Sequence, residues 1–187
     1  MAGLLSPMLK RKRFAMVAPY IQGDVLDVGC GPTTTLACGG GRITSYTGIE
    51  QHVSRIAQLS RDFPEHTFLK KDLDEDALDL PQQFDTILLV AVIEHIYNQK
   101  HLMRELVSVL KPSGRIVITT PTPFGNDIVH RWGAAIGLFS TSARDDHIVV
   151  YNRKRFEILA RDHGLAIERY RRFQFGCNQL VVLRKQA

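Results

Sequence analysis

The chain has 187 residues, 44% of them hydrophobic and 23% charged, with a formal net charge of +5. That length suits a single domain with a full core. The composition is that of a soluble globular protein, and no apolar run reaches the roughly 20 residues that a membrane-spanning helix needs. Cys30, Cys38 and Cys177 lack Cys-x-x-Cys or His partners at metal spacing, which argues against a disulfide framework or structural zinc and fits a reducing cytoplasm.

The charge is uneven. Residues 1–23 hold four basic residues and no acid, the middle of the chain is acidic, and residues 142–187 hold ten basic against five acidic. Basic ends of this kind make a positive rim that an anionic substrate, a nucleic acid or a membrane surface would meet, and solvated helix faces give the same pattern. The cluster Lys10 to Arg13 has no long apolar segment and cleavage site after it, so a secretory signal is not expected and a cytoplasmic location is.

Residues 4–21 read as an amphipathic helix that lies over a sheet as a lid (residues 1–22). Leu5, Met8, Leu9, Phe14, Val17 and Ile21 face in, and Lys10, Arg11, Lys12 and Arg13 face elsewhere. A basic helix of this type also suits peripheral membrane contact. Val25 to Val28 forms an apolar strand that runs into Gly29-Cys30-Gly31; the glycines supply φ freedom or close approach, as at the nucleotide sites of open α/β sheets. Ile43 to Ile49 is the second strand. Glu50 follows at its tip, about 20 residues beyond the glycine turn, where an acid accepts hydrogen bonds from ribose hydroxyls; capping the helix at 51–61 is the competing role.

Thr67 to Leu69 is a third strand. Asp72, just past its end, is placed to accept from an adenine amino group, and most of the five acids from Asp72 to Asp79 are expected to be solvated. Phe84 to Val92 is a fourth strand, apolar enough to be central, ending at Ile93-Glu94-His95-Ile96. A helix over 98–110 stops before Pro112-Ser113-Gly114, and Arg115 to Thr120 is the fifth strand. Strands and helices alternate, so the expected fold is α/β with a doubly wound, mostly parallel sheet. Residues 122–150 break the alternation and read as a substrate-side cover holding Phe124, His130, Trp132 and His147. A helix over 153–163 and an antiparallel hairpin from Leu165 to Arg184 close the chain.

Four blocks in order carry a resemblance to a known family: Leu26-Asp27-Val28-Gly29-Cys30-Gly31, Gly48-Ile49-Glu50, Phe84-Asp85 through Glu94-His95-Ile96, and Leu110-Lys111-Pro112-Ser113-Gly114-Arg115. Together the chain resembles the class I S-adenosylmethionine-dependent methyltransferases, in particular the small-molecule group. The resemblance implies a seven-stranded Rossmann-like sheet with the last strand antiparallel and S-adenosylmethionine as cofactor. Asp27, Gly29, Cys30 and Gly31 would then surround its methionine end, Glu50 with Gln51 its ribose, and Asp72 with Leu73 its adenine. Ala91 with Val92 would border the sulfonium. Thr33 stands where the family usually has a third glycine, which implies less room near the cofactor.

The implied reaction is in-line methyl transfer to an O, N or C nucleophile, in which alignment and desolvation supply most of the acceleration. A base is needed for a hydroxyl or protonated amine; His95 and, in the cover, His147 are the candidates, with Tyr151 and His130 behind them. No Asn/Asp-Pro-Pro-aromatic block follows the fourth strand, so a small or lipid-like acceptor is expected over nucleic acid. No metal site is expected, and the oligomeric state is left open. Two other classes share features of the sequence: a cofactor-binding module without turnover, and a nicotinamide-dependent oxidoreductase, whose third glycine would fall at Thr34.

Overall fold

The computed structural model describes residues 6–125 and 148–186. Strands β1 (Gly23–Val28), β2 (Ile43–Glu50), β3 (Thr67–Lys70), β4 (Phe84–Val90), β5 (Leu110–Pro121), β6 (Leu165–Phe173) and β7 (Asn178–Lys185) form one sheet. Its order is β3-β2-β1-β4-β5-β7-β6. β1 to β5 pair in parallel, and β7 runs antiparallel to both β5 and β6. The expected α/β fold with an antiparallel last strand is therefore present. Chain order reverses between β1 and β4, the crevice where such sheets bind ligands beyond the carboxyl ends of their strands.

Among the described residues five α-helices flank the sheet: α1 (Ser6–Val17), α2 (Thr34–Gly39), α3 (Val53–Asp62), α4 (Gln99–Ser108) and α5 (Arg153–Asp162). The alternation of β4 explains the layering, because successive side chains point to opposite faces. Ile87 and Leu89 join the cluster that holds Leu102, Met103 and Leu106 of α4 and Phe156 of α5. Leu88 joins Val17 and Ile21 at the end of α1, with Leu59 of α3, on the other face. Both faces of β4 are thus covered, as its unbroken apolar run predicts.

Three differences from the sequence reading bear on the site. β4 stops at Val90 because Ala91 takes a left-handed φ of 59°. β5 begins at Leu110, paired to Phe84, and its register shifts before Arg115 pairs with Thr86; Pro112 sits in that irregularity, where no ladder donor is required. The third concerns α1, which does lie on the sheet with Phe14 and Val17 buried. Lys10, Arg11 and Lys12 are exposed as expected, but Arg13 is not. It stands four residues after Leu9 and four before Val17, on the inward stripe, and its Nη2 donates to Asn178 Oδ1 at 3.2 Å. Trp132, His130, His147 and most of the expected cover lie outside the described residues.

Candidate functional site

The site starts from the turn after β1. Gly29 and Gly31 both have positive φ, 70° and 53°. A Cβ on Gly29 would come 2.7 Å from Val92 Cγ2, whereas one on Gly31 would meet only the Gly29 carbonyl oxygen, at 3.9 Å. Glycine at 29 lets the β1 and β4 turns close on each other, and glycine at 31 leaves open space beside the backbone. Thr33 is also left-handed, at φ 52°, and buried. Its left-handed backbone carries a strain cost, and it is not among the residues that line the cavity described below.

Asp27 lies beneath this turn. Tyr46 donates its hydroxyl to Asp27 Oδ2 at 2.8 Å. Burial pushes the Asp27 carboxyl up to about 6, with the neighbouring Thr35 and Tyr46 hydroxyls pulling the other way. Burial, then the negative charges of Asp27 and Glu50, pushes the Cys30 thiol up to about 12. Cys30 is therefore an inert, buried side chain, and its backbone N–H donates to Ile49 O at 2.9 Å.

Between the β1, β2, β3 and β4 ends opens a cavity of about 330 Å³, within the range of small-ligand sites. Of the residues singled out from the sequence, Gly29, Glu50, Gln51, Asp72, Leu73, Ala91, Val92 and His95 line it. Asp27, Cys30 and Gly31 are not among its described lining. Ile49 and Ile96 add apolar wall, and Lys71 and Asp74 add polar wall, that the sequence reading did not name.

Glu50 is held just ahead of α3. Its Oε1 accepts from the Gln51 and His52 amides at 2.9 and 3.1 Å, before the helix begins at Val53, and its Oε2 accepts from Arg55 Nη1 at 2.9 Å. Burial is the largest single influence on the carboxyl and would raise its pKa. The Arg55 bond and charge, with the two amides, outweigh it and hold the group below the usual range. A carboxylate offers about four acceptor positions; three are filled, so one on Oε2 remains toward the cavity.

The acids after β3 are organised, not merely solvated. Asp76 Oδ2 accepts from the Asp72 amide, Asp72 Oδ1 from the Asp74 amide, and Asp74 Oδ1 from the Asn98 amide, at 2.7, 3.0 and 2.6 Å. Short carboxylates take up backbone donors that no ladder satisfies. Among the described residues Asp72 Oδ2 accepts no hydrogen bond.

The far wall is built by the turn after β4. Ala91 donates its amide to Thr119 O at 2.9 Å while strained at φ 59°, the kind of backbone that clusters at functional sites. Glu94, which sequence reasoning passed over for His95, is only 2% exposed, and among the described residues its Oε2 has no hydrogen-bond partner. Its carbonyl accepts from the Ile148 and Val149 amides at 2.8 and 3.3 Å. Burial raises the Glu94 carboxyl, opposed by its own backbone amide, His95, Arg13 and Thr120. Arg13, pushed down by burial and up by Glu94, leaves its Nε buried and unpartnered, as is Thr119 Oγ1. The Thr120 hydroxyl lies near Glu94 without a well-formed hydrogen bond. The Glu94 carboxyl is thus buried with the Arg13 charge and the Thr120 hydroxyl among the groups that act on it, while Thr119, the adjacent residue on β5, points to the opposite face of the sheet. His147 lies outside the described residues. Tyr151 is a core residue: it stacks on Phe156 and donates to Gln99 Oε1 at 2.5 Å.

Comparison with known proteins agrees with this geometry. Residues 5–170 match a family described as Methyltransferase domain. A ubiquinone biosynthesis O-methyltransferase from Rickettsia bellii is 30% identical over 101 residues, which cover 52% of this chain but 41% of that protein. An S-adenosylmethionine-dependent methyltransferase from Clostridium acetobutylicum superposes with a TM-score of 0.69 at 10% identity, covering 97% of this chain and 91% of its own. The magnesium protoporphyrin IX methyltransferase of Synechocystis, solved with S-adenosylmethionine bound, superposes with a TM-score of 0.66 at 13% identity, covering 95% and 80%. With the match running over most of its length, the chain belongs to the family described as Methyltransferase domain, and it shares the fold of these S-adenosylmethionine-dependent methyltransferases while spanning less than half the length of the curated relative.

Proposed function

We propose that the chain methylates a hydroxyl of a small or lipid-like acceptor, with Glu94 as the base that receives the hydroxyl proton. The observation that carries this reading is the buried, unpartnered Oε2 of Glu94, on the turn whose neighbours Val92 and His95 line the cavity. The O-methyltransferase named above supports the choice of oxygen. The described residues fit S-adenosylmethionine: Glu50 keeps an ionised acceptor position for ribose, Asp72 keeps Oδ2 for an amino group, Leu73, Ile49 and Ile96 supply apolar wall, and Gly31 leaves backbone open.

When bound, that cofactor supplies a methyl group on a positively charged sulfur, an electrophile that needs no further activation. The chain's own work lies on the acceptor side. Burial holds Glu94 above the ordinary carboxylate range, which brings its basicity toward neutral pH, where a general base is most effective. Glu94 Oε2 would take the hydroxyl proton as the acceptor oxygen receives the methyl group and the carbon–sulfur bond breaks to leave a neutral thioether. Arg13 would stabilise the alkoxide character that the oxygen gains as its proton leaves. Ala91 and Val92 keep the transfer zone small and apolar, so water is excluded.

The test is calorimetric titration with S-adenosylmethionine and its demethylated product. Radiolabelled methyl transfer to a panel of hydroxylated aromatics and quinols then follows, for wild type and Glu94→Gln. The expected result is micromolar cofactor binding by both, with transfer to a hydroxyl slowed about 10²- to 10⁴-fold in the variant. Cofactor binding without transfer to any acceptor would mean a module without turnover. No binding by the folded chain would remove the reading altogether.

A further inference from the structure

The face of the sheet on which α1 lies carries a second feature that methyl transfer does not use. Residues 1–23 and 169–187 contain nine basic residues and no acid, and the fold brings the two segments together. Gln174 Nε2 donates to the Leu9 carbonyl at 2.7 Å, and Arg13 reaches Asn178. On α1, Lys10, Arg11 and Lys12 are exposed. On β6, Arg169 pairs with Val182 and Arg171 with Leu180. Val182 and Leu180 belong to the cluster under α1, and cross-strand partners share a face. Arg169 and Arg171 therefore extend the basic surface of α1, and both are exposed.

The turn between β6 and β7 adds an apolar element at the edge of this surface. Gln174, Phe175 and Gly176 all have positive φ, and the turn is fixed from three sides: by Leu9, by Asn178 Nδ2 to Gln174 Oε1 at 2.5 Å, and by Thr122 Oγ1 to Gly176 O at 2.6 Å. This strained loop holds Phe175 at 96% exposure, and Phe124 and Met8, on the segments that anchor it, are 55% and 48% exposed. Strain spent to hold an aromatic ring in water calls for a partner that takes the ring up. The turn meets Asn178 opposite Pro121, at the carboxyl end of β5, the same end of the sheet at which the cavity opens.

We propose that this surface docks on an anionic phospholipid bilayer, with Phe175, Phe124 and Met8 entering the headgroup region and Lys10, Arg11, Lys12, Arg169 and Arg171 meeting lipid phosphates. Basic side chains flanking shallowly inserted apolar ones are the recognition chemistry of a bilayer surface. Among the described residues no helix is long and apolar enough to cross a membrane, so the contact is peripheral. Its orientation turns the cavity end toward the lipid, where an apolar acceptor would be met. The docking itself does not depend on the identity of that acceptor.

The experiment is co-sedimentation of the full chain with extruded vesicles of phosphatidylcholine alone or with about one third phosphatidylglycerol. Fluorescence anisotropy with a labelled single-stranded RNA runs beside it. Wild type is compared with Phe175→Ser and with the triple variant Lys10→Gln, Arg11→Gln, Lys12→Gln. Melting temperature and calorimetric S-adenosylmethionine binding serve as controls for folding and for the cavity. The expected result is at least ten-fold stronger partitioning onto anionic than neutral vesicles, weakening with added salt. The triple variant should fall by about five-fold per residue removed and Phe175→Ser by at least five-fold, with both controls unchanged. Equal partitioning onto both vesicles, none onto anionic vesicles, undiminished partitioning by both variants, or RNA bound more tightly than lipid would overturn the proposal.

Discussion

Glu50→Gln isolates the charge that the site directs at its ligand. The carboxylate already accepts from Gln51, His52 and Arg55, so one acceptor position faces the cavity. The amide keeps an oxygen for the two backbone donors, but it loses the charge and presents an NH2 group where an acceptor is needed. A hydrogen bond to a charged group contributes about 1.5–3 kcal/mol, so the dissociation constant for S-adenosylmethionine should rise about 10- to 150-fold. Stability should change little. The Arg55 partner is 45% exposed, and an exposed pair is worth up to about 1 kcal/mol. Arg55→Met is the matched control: it frees a position on Oε2, so affinity should hold or improve. Titration calorimetry beside thermal melts would decide. Affinity within two-fold of wild type for folded Glu50→Gln, or an equal loss in Arg55→Met, would refute the reasoning, because the charge would then serve only α3.

Asp27 gives a pH prediction. Its folded pKa is raised from the ordinary 3.8 to about 6, so its contribution to stability is full below about 3.8 and is lost as pH rises through about 6, on the order of 3 kcal/mol. The melting temperature of wild type relative to Asp27→Asn should therefore fall between pH 4 and 6.5 and level off above; a flat or rising difference would show that the carboxyl is not desolvated. Glu50 has the opposite sign: its folded pKa is lowered, so its stabilisation is present above the ordinary value of 4.5 and is lost on acidification. Wild type should lose more stability below that pH than Glu50→Gln, as urea titrations at pH 6 and pH 3.5 would read. Gly125→Ala would place a Cβ 2.0 Å from the Cys177 carbonyl oxygen, a backbone atom that no rotamer change relieves. A loss of about 1–3 kcal/mol is expected in urea unfolding, and vesicle binding should weaken with it because the Phe175 turn is displaced.

Much of the cavity's lining was legible because its signals are local. Gly29 and Gly31 announce a turn through residue type, Glu50 is found by its distance from that turn, and the two-faced apolar run of β4 places it centrally before any pairing is known. Even there the division of labour was hidden: Asp27 sits in the same block as Gly29, but only the contact with Tyr46 across the β1–β2 pair shows it holding the turn from beneath. The acids after Asp72 looked like solvated charge, since nothing in the sequence says which backbone amides will lack a ladder partner.

The acceptor side was illegible for a different reason. Arg13 sits in a run of four basic residues, where charge argues for solvent, although the Leu9-Arg13-Val17 spacing argues for the sheet. The spacing prevails because α1 is anchored by Val17 and Ile21, both fully buried, and a helix fixed at one stripe carries every residue on that stripe inward whatever its charge. Glu94 stands beside a histidine whose ordinary pKa already suits proton transfer, and so it drew no notice. A histidine has the right basicity in water, whereas a carboxylate moves toward it only when burial strips it of water, as at Glu94. Desolvation is a property of contacts distant in sequence, and it raises the Glu94 carboxyl above its ordinary range. If Glu94→Gln removes transfer while His95→Gln leaves most of it, the base belongs to the residue that folding created and not to the one whose chemistry could be read in advance.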